Sequence, residues 1–246
     1  MRKPILYEKN KYYHIYNRGV DKRIIFNSKR DLDRFLLSME EFNSVEPIGS
    51  IFENRFNIKN KKQSFGGETP KHEKSGRLVE ILAFCLNPNH YHLILTPLVD
   101  GGISEFMKRL NGGYTNHFNQ KYKRSGVLFQ GVFKSVLITS DSQLRFLSVY
   151  INLNFRVHLK FQNTKNKKMF HKSSWDEYKS VKIIKGRLGK ENQIINGGND
   201  VCEKSMILSH FDSTKEYEKF AKESLKGILA KRYNDEDILK KNFTAE

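Results

Sequence analysis

Aromatic and β-branched residues fill "YYHIYNRG", Tyr12 to Gly19, and the run breaks at Asn17-Arg18-Gly19, which predicts a first strand and turn. From Ser28 the spacing changes. Leu32, Phe35, Leu36 and Met39 recur at helical intervals behind Ser28, a residue suited to an N-cap. Two apolar runs, "LVEILAFCL" and "YHLILTPL", flank "NPNH" in the pattern of a buried hairpin. Phe106, Leu110, Tyr114, Phe118 and Tyr122 then stand four apart, predicting a helix in spite of the costly Gly112-Gly113 pair, and "GVFKSVLIT" reads as a further strand. Ser140 and Gln143 have capping-box spacing, and the segment they open has no breaker before about His158.

The predicted order is β-α-β-β-α-β followed by a helix. That is an α+β chain with a ferredoxin-like antiparallel sheet, an added C-terminal helix and a mostly helical extension. Residues 57–77, rich in Lys, Asn, Ser and Gly, read as a flexible exposed insert before the hairpin. Beyond about Asn163 the chain is basic, is interrupted by "INGGND", and shows one further helical pattern from about Lys215 to Arg232. There is no internal repeat. A ferredoxin-like fold hosts many functions and does not choose among them.

The chemistry begins at "NHYHLIL". In a strand His90 and His92 project to one side and Tyr91 to the other, with about 6.6 Å between the histidine Cα atoms, a spacing at which two imidazoles can chelate one cation. The same spacing suits histidines hydrogen-bonded at a sheet rim. A third ligand must come from elsewhere, since neither Cys85 nor Cys202 is spaced to help. On the capped helix Tyr150 and Asn154 stand one turn apart on one face, a hydroxyl and an amide oxygen. Such oxygen donors suit Mg²⁺ or Mn²⁺, and the histidines tilt the preference to Mn²⁺. Taken alone, Tyr150 is one of 11 tyrosines and reads first as a core residue of an apolar helix.

Charge changes the picture of the partner. With 44 Lys and Arg against 27 Asp and Glu the formal net charge is +17, which favours polyanions, nucleic acid before an anionic membrane surface. Lys108, Arg109, Lys121, Lys123, Arg124 and Lys134 gather on and after the second helix as candidate phosphate contacts, or as a solvated basic face. Asn17 and Arg18 end the first strand at its turn. Two cysteines exclude a disulfide framework or a Cys-rich zinc module and fit a reducing cytosol. No run approaches the roughly 18 apolar residues of a membrane span, and the N-terminus lacks a signal-peptide core, so a cytoplasmic, nucleoid-associated protein is expected.

Several of these pieces agree with one family in order and spacing. "YHIYNRG", "FCLNPNHYHLIL", "FMKRLNGGYTNHFNQKY", "GVLFQGVFKS" and "LRFLSVYINLN" resemble the REP-associated branch of the single-tyrosine HUH transposases over most of residues 10–160. "SSWDEY" and "ILSHF" resemble short elements of that family's C-terminal extension.

The resemblance implies a catalytic domain at 1–160 and an extension at 161–246. It implies cleavage of hairpin-forming single-stranded DNA by a tyrosine that becomes 5′-phosphotyrosine and frees a 3′-hydroxyl. Carried onto this chain, Tyr150 is the nucleophile, His90 and His92 are ligands of Mg²⁺ or Mn²⁺, and Asn154 is the third ligand. For Asn17 and Arg18 the resemblance implies that they either touch DNA or only close the turn. Tyr150 would serve either its own chain's site or, in a homodimer, the partner's. Phe155 stands where the family has proline, so the helix is expected to run on past Asn154. The competing readings are a non-catalytic nucleic-acid-binding protein on the same scaffold, and a hydrolase using metal-activated water with Tyr150 structural.

Overall fold

The computed structural model describes residues 6–53, 76–161, 169–184, 193–195 and 200–243. Strand β1 (Tyr12–Arg18), helix α1 (Lys29–Glu41), strands β2 (Val79–Asn87) and β3 (His90–Pro97), helix α2 (Gly102–Lys121) and strand β4 (Lys134–Ile138) follow in the expected order. Helix α3 (Asp141–Asn152) comes next, then α4 (Asn154–Phe161), a two-residue strand β5 (Lys172–Ser173) and helix α5 (Trp175–Ser180). A small hairpin, β6 (Lys182–Ile184) and β7 (Gln193–Ile195), helix α6 (Ser205–Leu208) and the long helix α7 (Thr214–Phe243) complete the chain. The main sheet runs β4-β1-β3-β2-β5, antiparallel throughout, so its first four strands have the ferredoxin-like order. Except for its last two residues, the insert expected at 57–77 lies outside the described residues.

Period-two alternation sorts each strand between two cores. Tyr91, Leu93 and Leu95 point to the face covered by α1 and α2, where Phe35, Met39, Phe106, Leu110 and Tyr114 are buried. Ile94 points to the opposite face, where α3, α5 and α7 supply Leu144, Val149, Trp175, Tyr178 and Tyr217. His90 and His92, four and two residues before Ile94, share that second face. Tyr114 is a core residue whose hydroxyl donates to the Ile25 carbonyl at 2.6 Å. Tyr122 caps α2 and donates to Asp31 at 2.7 Å.

The glycine pair inside α2 has two different explanations. At Gly113 an added Cβ would meet the Phe42 ring at 2.5 Å, so close helix contact requires hydrogen there, whereas at Gly112 nothing lies within 4 Å. Gly112→Ala should therefore stabilise the fold by about 1 kcal/mol through helix propensity alone. Gly113→Ala should destabilise it, because overpacking of about 1–3 kcal/mol outweighs the same propensity gain. Urea unfolding of the two variants beside the parent chain reads the opposite signs.

The helix expected from Ser140 to about His158 is two helices. Ser140 caps it as predicted, accepting from the Gln143 amide at 3.2 Å, while the Gln143 side chain reaches back to the Thr139 amide at 2.8 Å. At Leu153 the backbone leaves the helix (φ −107°, ψ 7°), and α4 starts at Asn154. Residues two apart in an unbroken helix face about 200° apart. The break lets Asn152 and Asn154, both 0 % exposed, bury their amides in separate polar clusters. The expectation that Phe155, for want of proline, prolongs the first helix past Asn154 is therefore corrected. Phe155 lies in the first turn of α4 and stacks on His171 with ring centroids 4.5 Å apart.

Candidate active site

The hairpin turn that precedes His90 is held from both sides. Pro88 and Asn89 offer their carbonyls to the amides of Ile25 (2.7 Å) and Gly19 (2.8 Å), so the loop after β1 pins the turn. The Asn89 amide nitrogen donates to the Lys22 carbonyl at 3.3 Å, which turns its oxygen toward His90 Nδ1 at 2.6 Å. An amide oxygen can only accept, so Nδ1 of His90 carries the proton and Nε2 presents a lone pair.

Two side-chain amides meet at that nitrogen. Asn154 Oδ1 lies 3.4 Å from His90 Nε2, and Asn87 Nδ2 donates toward both, at 2.8 Å to Asn154 and 3.0 Å to His90. Asn87 is the direct cross-strand partner of His90, which puts its amide there. The Asn154 Nδ2 is buried without a hydrogen-bond partner among the described residues. The amide is thus fixed through its oxygen, on the side where His90 lies.

His92 closes the other side. Its ring centroid is 5.1 Å from that of His90, nearly perpendicular, and 5.9 Å from that of Tyr150, again edge to face. Tyr150, on the last turn of α3, is half-buried. Tyr16 stands directly opposite His92 on β1 and stacks on it at 5.8 Å, with Lys134 6.0 Å from the Tyr16 ring. His14, diagonal to His92 in the same register, places Nε2 2.9 Å from His92 Nδ1. Burial pushes the His14 imidazole down to about 4, so it is neutral at pH 7.

These donors fit a hard divalent cation. Two ligands about 2.1 Å from one ion in adjacent octahedral positions lie about 3 Å apart, close to the 3.4 Å between His90 Nε2 and Asn154 Oδ1. Among the described residues no group of three or more His, Cys, Asp or Glu side chains could hold a metal, and the oxygen placed beside His90 Nε2 is that of the Asn154 amide. The set is neutral throughout.

Tyr150, His90, His92 and Asn154 are therefore brought together within one chain, across the break between α3 and α4. Of the basic candidates only Lys134 joins them. Lys108, Arg109 and Lys121 belong to α2 on the other face of the sheet; Lys108 and Arg109 pair with Glu105 (3.4 and 2.8 Å), and Lys121 with Asp31 at 2.5 Å. Lys123 is exposed beyond α2, and Arg124 bonds back to Asn119 at 2.5 Å and to the Val127 carbonyl at 2.9 Å. Asn17 is buried and closes the turn, donating to the Gly131 carbonyl at 3.2 Å and accepting from the Arg18 amide at 2.9 Å. Arg18 is exposed and bonds the Gln130 side chain. Sequence reading missed His14, Tyr16, Asn87 and Asn89 as site residues. Their signal was present in the alternation of "YYHIY" and in the "NPNH" turn, but it needs the β1–β3 register to be read.

The extension past residue 161 buttresses the site. Asn152 Nδ2 donates to the Tyr217 hydroxyl at 3.0 Å, and Ser174 Oγ donates to Asn152 Oδ1 at 2.5 Å while accepting from the Phe84 amide at 2.9 Å. One buried network thus joins α7, α3 and β2, the neighbour of the histidine strand. Tyr217→Phe should cost about 1–3 kcal/mol, because it leaves the Asn152 amide buried without its acceptor. Thermal unfolding of the variant checks this.

What the fold and site define is a ferredoxin-like sheet presenting a histidine pair, an amide and a tyrosine at one place. Residues 54–154 match the family model described as "Transposase IS200 like". The stretch contains both histidines, Tyr150 and Asn154. Among solved structures the chain is similar to one titled "Structure of the REP associates tyrosine transposase bound to a REP hairpin", at 17 % identity and a TM-score of 0.36, over 64 % of this chain and 74 % of that one. No curated protein matches the chain. No helix among the described residues is long and apolar enough to cross a membrane.

Proposed function

We propose that the chain is a divalent-metal-dependent endonuclease and strand transferase acting on hairpin-forming single-stranded DNA, with Tyr150 as nucleophile and His90, His92 and Asn154 as metal ligands. One observation supports this above the rest. The Tyr150 ring lies against His92 while the Asn154 oxygen lies beside His90, so nucleophile and ligands share one space without a second chain. Tyr150 then serves its own chain's site. The preference for hairpin-forming single strands rests on the motif resemblance, and the excess of positive charge agrees with DNA as partner. Such an enzyme works in the cytoplasm, at the nucleoid.

The Tyr150 phenol oxygen attacks the scissile phosphorus as the bond to the 3′ oxygen breaks. The phenol loses its proton and the departing 3′ oxygen gains one, so the products are a 5′-phosphotyrosine and a 3′-hydroxyl. When bound, Mg²⁺ or Mn²⁺ would supply Lewis-acid stabilisation of the phosphate, undiminished by any anionic protein ligand. His90 and His92 are oriented by their outer partners, and Asn87 fixes the amide of Asn154. Tyr16 and Lys134 offer the adjoining strand a ring face and a cation. Reversal of the same step by a new 3′-hydroxyl rejoins DNA, because the phosphodiester energy is kept in the covalent link.

The test is incubation with labelled hairpin-tailed single-stranded DNA and Mg²⁺ or Mn²⁺, followed by denaturing electrophoresis. A denaturation-resistant protein–DNA adduct supports the reading. Cleavage without an adduct would instead identify a water-using hydrolase, and binding without cleavage a non-catalytic module.

A further inference from the structure

Both histidines of the pair have an outer partner on Nδ1, but the two partners differ in kind. For His90 it is Asn89, whose oxygen can only accept. For His92 it is another imidazole, His14, whose Nε2 lies 2.9 Å from His92 Nδ1 with the ring centroids 5.1 Å apart, and whose ring stacks against Tyr16 at 4.9 Å. One proton lies between the two facing nitrogens, and its position decides which nitrogen His92 can offer. If His14 donates, His92 holds its proton on Nε2. If His14 accepts, Nδ1 holds it and Nε2 carries the lone pair.

We propose that His14 accepts the Nδ1 proton of His92 and so acts as a positioning residue that fixes Nε2 as the ligating nitrogen of His92, as Asn89 does for His90. The inference rests on the proposed metal site and adds a residue to it. Geometry supports it on three counts. His92 meets His14 through Nδ1, at 2.9 Å, so a proton held on that nitrogen puts the ring's lone pair on Nε2. The cross-strand register of β1 and β3 seats His14 diagonally to His92, and stacking on Tyr16 holds its plane. A ligating histidine whose other nitrogen donates to an acceptor is held in one tautomer and one orientation, and loss of such a partner typically lowers metal affinity about 10–100-fold.

Two readouts test it, on the full chain. In the metal-free protein with ¹⁵N-labelled histidine, NMR should show His92 protonated on Nδ1 and bare on Nε2. In His14→Phe, which keeps a stacking ring without a nitrogen, the His92 signals should shift toward the opposite tautomer. Mn²⁺ titration should then show affinity falling about 10–100-fold in His14→Phe and recovering to within about threefold in His14→Gln, whose amide oxygen can accept. A wild-type His92 protonated on Nε2, or a His14→Phe affinity within twofold of wild type, would overturn the proposal. Should His90→Ala and His92→Ala leave Mn²⁺ binding unchanged, the metal site itself fails, and the tautomer of His92 in the metal-free protein still decides the role of His14.

Discussion

Tyr150→Phe abolishes the denaturation-resistant DNA adduct and lowers strand cleavage by at least about a thousandfold, while hairpin binding stays within about twofold. The size follows from removal of the attacking atom, since loss of a nucleophile leaves only what binding and electrostatics supply. Binding survives because the substitution deletes one oxygen and keeps the ring against His92 at the same place. Among the described residues the Tyr150 hydroxyl makes no hydrogen bond that the fold would lose, so the thermal midpoint should stay within a degree or two. The competing tyrosine is Tyr16, whose ring is as close to His92, at 5.8 Å against 5.9 Å. It stands on β1 opposite His92, whereas Tyr150 is on the last turn of the helix that ends two residues before Asn154. Tyr16→Phe should therefore retain the adduct, and peptide mapping of the adduct should find the phosphate on residue 150. An adduct that persists in Tyr150→Phe and vanishes in Tyr16→Phe would reverse the assignment.

How much of this was legible in the sequence differs by kind of signal. Period-two alternation fixes faces without any tertiary knowledge, which is why His90 and His92 were paired correctly on one side of β3. Turn chemistry located the hairpin at "NPNH", and Ser28 and Ser140 marked the starts of α1 and α3. The break at Leu153 was not legible, since no Gly or Pro marks it. An unbroken helix would turn Asn152 and Asn154 to opposite sides, yet both amides are buried, and the partners that hold them, Ser174 and Tyr217 for one and Asn87 for the other, come from other elements rather than from the segment. His14 was invisible for a similar reason. On its own strand it is one polar residue among aromatics, and only the register between β1 and β3 brings it to His92. The basic residues of α2 were legible as a cluster, but the sheet stands between them and Tyr150, and sequence gives no sign of which face a helix covers. Strand β5 and helix α5 are too short for a periodic signal.

The largest effect on metal binding should come from the double substitution of His90 and His92 by alanine. Wild-type protein at a Mn²⁺ concentration a hundredfold above its dissociation constant gains about 2.7 kcal/mol of folding stability by mass action. The double variant should gain none over the same range, because a lone amide oxygen does not hold a hard cation against water. Each single variant should weaken Mn²⁺ binding at least about a hundredfold, more than loss of an outer partner does, because a ligand itself is lost. Position 154 needs a different substitution. Asn154→Ala would remove a ligand and also strip Asn87 of its acceptor, confounding the two. Asn154→Asp keeps an oxygen 2.8 Å from Asn87 Nδ2 and gives up only the amide nitrogen, which has no partner among the described residues. If residue 154 ligates the ion, the carboxylate should tighten Mn²⁺ binding several-fold. The same charge should slow DNA cleavage, because it offsets part of the positive field that draws the phosphate in. An unchanged Mn²⁺ affinity in Asn154→Asp would remove Asn154 from the ligand set and leave it a structural partner of Asn87.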